Sequence, residues 1–237
     1  MEHKTDFLVI GSGIAGLTFA LKVAEFGNVT IVTKKEVVES STNHAQGGIA
    51  SVFDDIDSFD LHIQDTLEAG DDICNHDVVK MVVKDGPERI KELINLGVKF
   101  NLKNQAENST DSPDFDLGRE GGHSRNRIIH AHDMTGKEDE RVLVEQARKN
   151  ENISLFENHM AIDLITCSTR IKRGSVITDQ EDFCCGAYVL DRKSNVVKTF
   201  SSKITLLATG GSGKVYLYTS NPDIATGDGI AMGYRAG

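Results

Sequence analysis

Proline is scarce in this chain, at three residues in 237, and cysteine is scarcely more frequent, at four. With 39% hydrophobic and 26% charged residues, so little proline excludes disordered and collagen-like chains and leaves a globular protein that can bury a sizeable core. Cys74, Cys167, Cys184 and Cys185 show no C-x-x-C spacing, and the adjacent pair suits neither a disulfide staple nor a zinc knuckle, so a reduced, cytoplasmic chain is expected. Positive charge is in deficit: 26 Lys and Arg against 36 Asp and Glu give a formal net charge of −10, the wrong sign for binding a phosphate backbone. No apolar run is long enough to cross a bilayer. The candidate, Phe7 to Leu21, is interrupted by three glycines and follows a leader with no net positive charge, which also argues against a signal peptide. Gly-x-Ser-x-Gly is absent, and Cys74 has no obvious base, so nucleophilic catalysis has no foothold.

What is present begins with a βαβ unit. Phe7-Leu8-Val9-Ile10 is a β-rich run ending in glycine. From Ile14 the apolar residues Leu17, Leu21 and Ala24 recur at helical spacing, and Asn28 to Thr33 is a second β-rich run after Gly27, a plausible helix stop. A polar loop of about 25 residues follows, long enough that a compact domain normally keeps it for function. Two helices are predicted at Phe59 to Ala69 and Asp77 to Leu96, the second broken or kinked by Gly86-Pro87. Residues 101 to 127 are polar and aperiodic. Thr135 and Glu138 have the spacing of a capping box ahead of a helix with Val142, Leu143, Val144 and Ala147 on its apolar face. Five strands are then predicted: Ile153 to Phe156, Ala161 to Cys167, Phe183 to Leu190, Val196 to Phe200 and Ile204 to Ala208. The fold class is α/β, a Rossmann-like parallel sheet with an inserted antiparallel β-meander. The last helix, opening at Ile230-Ala231-Met232, meets the chain end after few residues, so a longer parent is expected.

Chemistry gathers at three places. Gly11-Ser12-Gly13-Ile14-Ala15-Gly16 is G-x-G-x-x-G between a strand and a helix, where glycine allows a tight turn, approach of backbone to a pyrophosphate, and close helix packing. The helix N-terminus offers N–H groups and a positive dipole end to phosphates. The ribose-binding acid that normally ends the second strand is missing. Either Glu36 reaches back or Thr33 and Lys34 take the role, and Lys34 and Lys35 also read as a solvated edge. Ala208-Thr209-Gly210-Gly211 ends the last strand, and with the loop Ser41 to Gly48 it would suit a large redox cofactor. Finally, residues 119 to 132 hold three arginines, three histidines and one acid, which suits an anionic substrate. The competing reading is a loop salt-bridged to Asp114, Asp116 and Asp133. No thiol or carboxylate completes a metal site around His130 and His132, so none is expected.

In order along the chain, the fingerprint at 11 to 16, Ala45-Gln46-Gly47-Gly48, Arg119-Glu120-Gly121-Gly122-His123-Ser124, Ala208-Thr209-Gly210-Gly211 and Gly227-Asp228-Gly229 resemble the L-aspartate oxidases, a family of the succinate dehydrogenase and fumarate reductase flavoprotein superfamily. The resemblance covers the whole chain but only the first part of the family's longer sequence, and it implies an FAD-binding domain of glutathione-reductase type over residues 1–237, with capping and helical domains lying beyond. It implies Ser12, Gly13, Ile14 and Ala15 near the pyrophosphate, Gly11 and Gly16 among the other cofactor-binding residues, and Lys34 near the adenosine ribose. Ser41, Thr42, Asn43, His44, Ala45, Gln46, Gly47 and Gly48 would run toward the isoalloxazine. Met160 and Ala161 would lie by the adenine, Thr209 and Gly210 at the second glycine turn, and Asp228 on a ribityl or ribose hydroxyl. Glu120 matches the family's substrate glutamate, facing the ammonium of aspartate. Ser41 stands where relatives with covalent flavin carry histidine, so FAD is expected to be dissociable. The implied reaction is oxidation of L-aspartate to iminosuccinate, with oxygen or fumarate as acceptor. It opens the route to quinolinate and NAD, with quinolinate synthase as a possible partner. The family's catalytic arginine would lie past residue 237, so this chain alone is expected to be inactive. The alternatives are a flavoprotein subunit of a fumarate reductase or succinate dehydrogenase, and a nucleotide-binding module without redox chemistry.

Overall fold

The structure, a computed structural model, describes residues 2–103, 114–131, 134–167 and 183–237. In chain order the strands are β1 (Glu2–Ile10), β2 (Val29–Thr33), β3 (Ile49–Ala50), β4 (Leu117–Gly118), β5 (Ile128–Ile129), β6 (Ile153–Glu157), β7 (His159–Thr166), β8 (Cys184–Asp191) and β9 (Val196–Leu207). The helices are α1 (Ile14–Val23), α2 (Phe59–Ala69), α3 (His76–Leu96), α4 (Thr135–Lys149) and α5 (Asp228–Ala236). They fall into two compact units, Met1–Asn43 with Leu143–Gly237, and His44–Val142.

The first unit is built on a six-stranded sheet of order β6-β2-β1-β9-β8-β7. β6, β2, β1 and β9 run parallel, and β9, β8 and β7 form the antiparallel meander, as the sequence predicts. All five residues of β2 are buried, the pattern of a parallel strand covered on both faces. Leu8, Ile10, Val32, Val189 and Phe200 share one core cluster with Met232 of α5. Each such side chain contributes roughly 1.5–3 kcal/mol by leaving water.

One expectation fails instructively. The runs Val196 to Phe200 and Ile204 to Ala208 are a single strand, because β9 pairs with β1 from Glu2↔Thr199 to Ile10↔Leu207 while its first half also pairs with β8. The polar residues between the runs are held rather than looped out. Ser201 Oγ donates to Glu2 Oε1 at 3.2 Å, and Lys203 pairs with Asp6 at 2.6 Å.

The second unit joins a short antiparallel sheet, order β3-β5-β4, to α2 and α3. Ile90, Phe115 and Ile129 form its core, with the ring of Phe53 edge-on to Phe115 at 4.9 Å. Ser58 caps α2 by accepting from the Leu61 N–H, Asn75 caps α3 by accepting from Asp77 and Val78, and Gly97 ends α3 in the left-handed region. The expected break at Gly86-Pro87 is absent: α3 is continuous through Pro87. Proline cannot donate to the Val83 carbonyl. Yet Val83, Ile90 and Leu93 are buried on both sides of it, and that packing outweighs one lost hydrogen bond. The capping box is also not formed as expected. Thr135 is already helical, and its hydroxyl accepts from the Ala131 N–H at 3.1 Å.

Candidate functional site

The turn from β1 into α1 uses its three glycines in three ways. Gly11 has φ +114°, and a Cβ there would run into the carbonyl oxygen of Ala208. At Gly16 a Cβ would strike the Gly11 carbonyl, so this glycine sets the helix against the turn. At Gly13 the nearest atom is Thr42 Oγ1 at 3.4 Å, an ordinary contact on the side facing the cavity. The first intrahelical bond runs from Leu17 N–H to Gly13 O, and Thr42 Oγ1 accepts from Ile14 N–H at 3.1 Å. Ala15 and Gly16 thus lie ahead of the helical ladder, where N–H groups point out of the helix end. Ser12 is buried and spends its hydroxyl internally, donating to the Val37 carbonyl at 2.8 Å and lying 3.2 Å from Thr33 Oγ1.

This turn borders a cavity of about 390 Å³ lined wholly by the first unit, within the size range of ligand clefts. Gly11 to Ala15, Lys34, Ser41, Thr42, Met160, Ala161, Thr209, Gly210 and Asp228 all line it, and Gly16 and Asn43 do not. The missing ribose acid has an answer the sequence did not supply. Glu36 is exposed and off the cavity, whereas Glu39 lines it, turned back by its N–H bond to the Glu36 carbonyl. Lys34 is not a solvated edge. Its Nζ lies 2.6 Å from Asp228 Oδ2 and 2.5 Å from Thr226 Oγ1, joining residues 194 positions apart. Thr226 in turn donates to Asp228 Oδ1 at 2.7 Å, a partner with no sequence signal beyond its place two residues ahead of that acid. At the second glycine turn, Gly210 and Gly211 have no atom within 4 Å of a Cβ position, and Thr209 Oγ1 accepts from Gly229 N–H at the start of α5.

The remaining candidates belong to the second unit. His44 to Gly48 are exposed. Gly48, at φ +130°, brings the chain against the Ile129 carbonyl, and Gly47 lies beside Glu120, whose Oε1 would be 3.7 Å from a Cβ there. Glu120, Arg119 and Arg125 are exposed. Arg127 corrects the cationic-pocket reading: its side chain is wholly buried, its Nε and Nη2 donate to the two oxygens of Asp57 at 2.8 Å each, and its Nη1 donates to Asp65 at 2.6 Å. Burial opposes that charge, but the bonds and charges of Asp57 and Asp65 outweigh it and hold the guanidinium above its ordinary value. Of the acids predicted to neutralise this segment, only Asp116 is seen to face it among the described residues. Asp116 lies 3.7 Å from His130, Asp114 pairs with Lys103 at 3.2 Å, and Asp133 and His132 fall outside the described residues. Among the described residues no cluster could hold a metal ion.

Residues 6–237 match the model of a family described as an FAD binding domain. The chain belongs to this FAD-binding family. Among curated relatives, L-aspartate oxidase of Oryza sativa subsp. japonica, named chloroplastic, is 47% identical over 231 residues, covering 98% of this chain and 33% of the relative. That of Vibrio cholerae is 46% identical over 236 residues, covering 100% and 42%. The chain thus spans between a third and a half of their length. An Escherichia coli quinol fumarate reductase superposes with a TM-score of 0.83 at 27% identity, covering 99% of this chain and 37% of that one. A flavocytochrome c3 fumarate reductase, at 0.79 and 24% identity, shares the fold. FAD is the cofactor of this family, and the residues fit it. Gly13 leaves the turn open to the cavity, Gly210 and Gly211 are unobstructed, and Lys34 and Asp228 bring polar groups of both signs to the same wall. No helix among the described residues is long and apolar enough to cross a membrane.

Proposed function

We propose that residues 1–237 are the FAD-binding part of an L-aspartate oxidase, which oxidises L-aspartate to iminosuccinate and passes the electrons to oxygen or fumarate. The observation that carries this reading is a glycine-turn cavity in one unit together with a carboxylate, Glu120, exposed beside a glycine in the other. FAD, when bound, supplies the two-electron acceptor. The chain's own residues do the holding. The glycine turn from Ser12 to Ala15 and the α1 dipole meet the pyrophosphate, Lys34 and Asp228 exchange their mutual contact for sugar and ribityl hydroxyls, and Met160 and Ala161 flank the adenine. Ser41, Thr42, Asn43 and the stretch His44 to Gly48 follow the cofactor toward its ring. Ser41 has no imidazole to offer, so the flavin stays dissociable. Glu120 holds the substrate ammonium, the one positive charge on a dicarboxylic amino acid.

A flavoprotein subunit of a fumarate reductase is the second reading, favoured by the TM-score of 0.83 but at 27% identity against the 46–47% of the oxidases. The product's lability makes direct transfer to quinolinate synthase part of the proposal. So is a cytoplasmic location, which suits four cysteines without a disulfide. The test has two parts. The purified chain mixed with FAD should develop a bound-flavin visible spectrum, and acid precipitation should release all the colour. The FAD-loaded full-length parent enzyme should form peroxide from L-aspartate; turnover of succinate alone would establish the second reading instead.

A further inference from the structure

The buried charge cluster of the second unit has a use beyond stability. Arg127 sits on a fixed base: its N–H donates to the Gly118 carbonyl and its carbonyl accepts from Ser51, on either side of the small sheet. From there the guanidinium reaches Asp57, fully buried, and Asp65 on α2. Asp65 Oδ2 accepts twice more, from the backbone N–H and the hydroxyl of Ser124, both at 2.8 Å. Arg127 and Ser124 hold the Asp65 carboxyl below its usual range against the opposing effect of burial. The same Nη1 lies 3.2 Å from His123 Nδ1, and the His123 N–H closes a turn onto the Glu120 carbonyl at 3.3 Å.

A guanidinium has donors only, so the imidazole nitrogen facing it must be the acceptor. That places the proton of a neutral His123 on Nε2. The neighbouring ring of His62 lies 5.6 Å away, and burial and the charge of Arg127 push its pKa below the ordinary imidazole value.

We infer that Arg127 is the positioning residue of the Glu120–Ser124 turn, anchoring it through Asp65 and fixing His123 as an Nε2–H donor. This inference rests on the functional reading above. A turn that presents a carboxylate and an imidazole N–H three residues apart takes an amino acid by both charges, its ammonium on Glu120 and a carboxylate on His123. Neither Arg127 nor Asp65 touches substrate.

The test uses the FAD-loaded full-length parent enzyme and histidine-selective 15N spectra, with His123 assigned by His123→Gln. In the unaltered protein the neutral form of His123 should carry its proton on Nε2, and Arg127→Lys should shift it toward a mixture of tautomers. Ser124→Ala, which removes one exposed anchor and spares the buried pair, should raise KM for L-aspartate roughly five- to tenfold with kcat little changed, the size of one charge-assisted hydrogen bond. Ser124→Thr should restore it. If Arg127→Lys does not fold, the Ser124 pair and the spectrum of the unaltered protein decide. A His123 protonated on Nδ1, or a KM unmoved by Ser124→Ala in an enzyme that oxidises L-aspartate, overturns the inference alone. An FAD-loaded enzyme inert toward L-aspartate overturns the functional reading and this inference together.

Discussion

Gly11 and Gly13 differ in what surrounds them, and the difference separates folding from binding. Gly11→Ala places a methyl group against the Ala208 carbonyl at φ +114°, so both strain and collision oppose it. A loss of about 3 kcal/mol or more is expected, read as a lowered midpoint in urea. Gly13→Ala meets only Thr42 Oγ1 at 3.4 Å. It should leave the midpoint of the FAD-free chain within about 0.5 kcal/mol while weakening FAD uptake, because its methyl lies on the cavity side. Equal destabilisation by the two would mean that the turn is only a packing device. Arg127 teaches the converse lesson at the same scale. Three arginines in a short segment read as one pocket, but one of them is a fully buried strut.

At the scale of elements, α3 shows packing overriding a local signal. The helix keeps Pro87 in its interior although the Val83 carbonyl loses its donor there. Pro87→Ala should therefore stabilise the protein by up to about 1 kcal/mol, the restored bond being partly offset by a freer unfolded chain. A higher urea midpoint checks this, and an unchanged one would show that the helix has no strain at Pro87 to relieve. In β9 the same principle acts through backbone pairing. Ser201, Ser202 and Lys203 lack the apolar alternation of a strand, but β1 pairs along this stretch, and β8 as far as Ser201, so the backbone stays in the sheet wherever the side chains point.

For the molecule as a whole, Asp139 couples stability to pH. Burial, with the Glu138 charge adding to it, raises its carboxyl to about 7, and its Oδ1 has no hydrogen-bond partner among the described residues. The unfolded chain ionises near the ordinary carboxyl value of 3.8, so the folded state holds the extra proton between these values. Its stabilising effect is full below about 3.8 and is lost as pH rises through about 7. Asp139→Asn should flatten the fall in urea midpoint between pH 4 and about 8, with its gain over the unaltered chain largest at the alkaline end. An equal fall in both proteins would assign that pH dependence to other groups.

The sequence by itself determined the βαβ opening, the glycine turn, the meander and the class of ligand, because each depends on local periodicity or on a backbone constraint that only glycine relieves. It also marked Lys34, Asp228 and Glu120 as residues of interest. Only the tertiary structure decided that Lys34 and Asp228 pair, that Glu39 rather than Glu36 lines the cavity, that Arg127 is consumed by Asp57 and Asp65, and that α3 and β9 run unbroken. The physical reason is shared. Each of these outcomes depends on partners brought together from elsewhere in the chain or on burial, and neither is written in the local residue pattern.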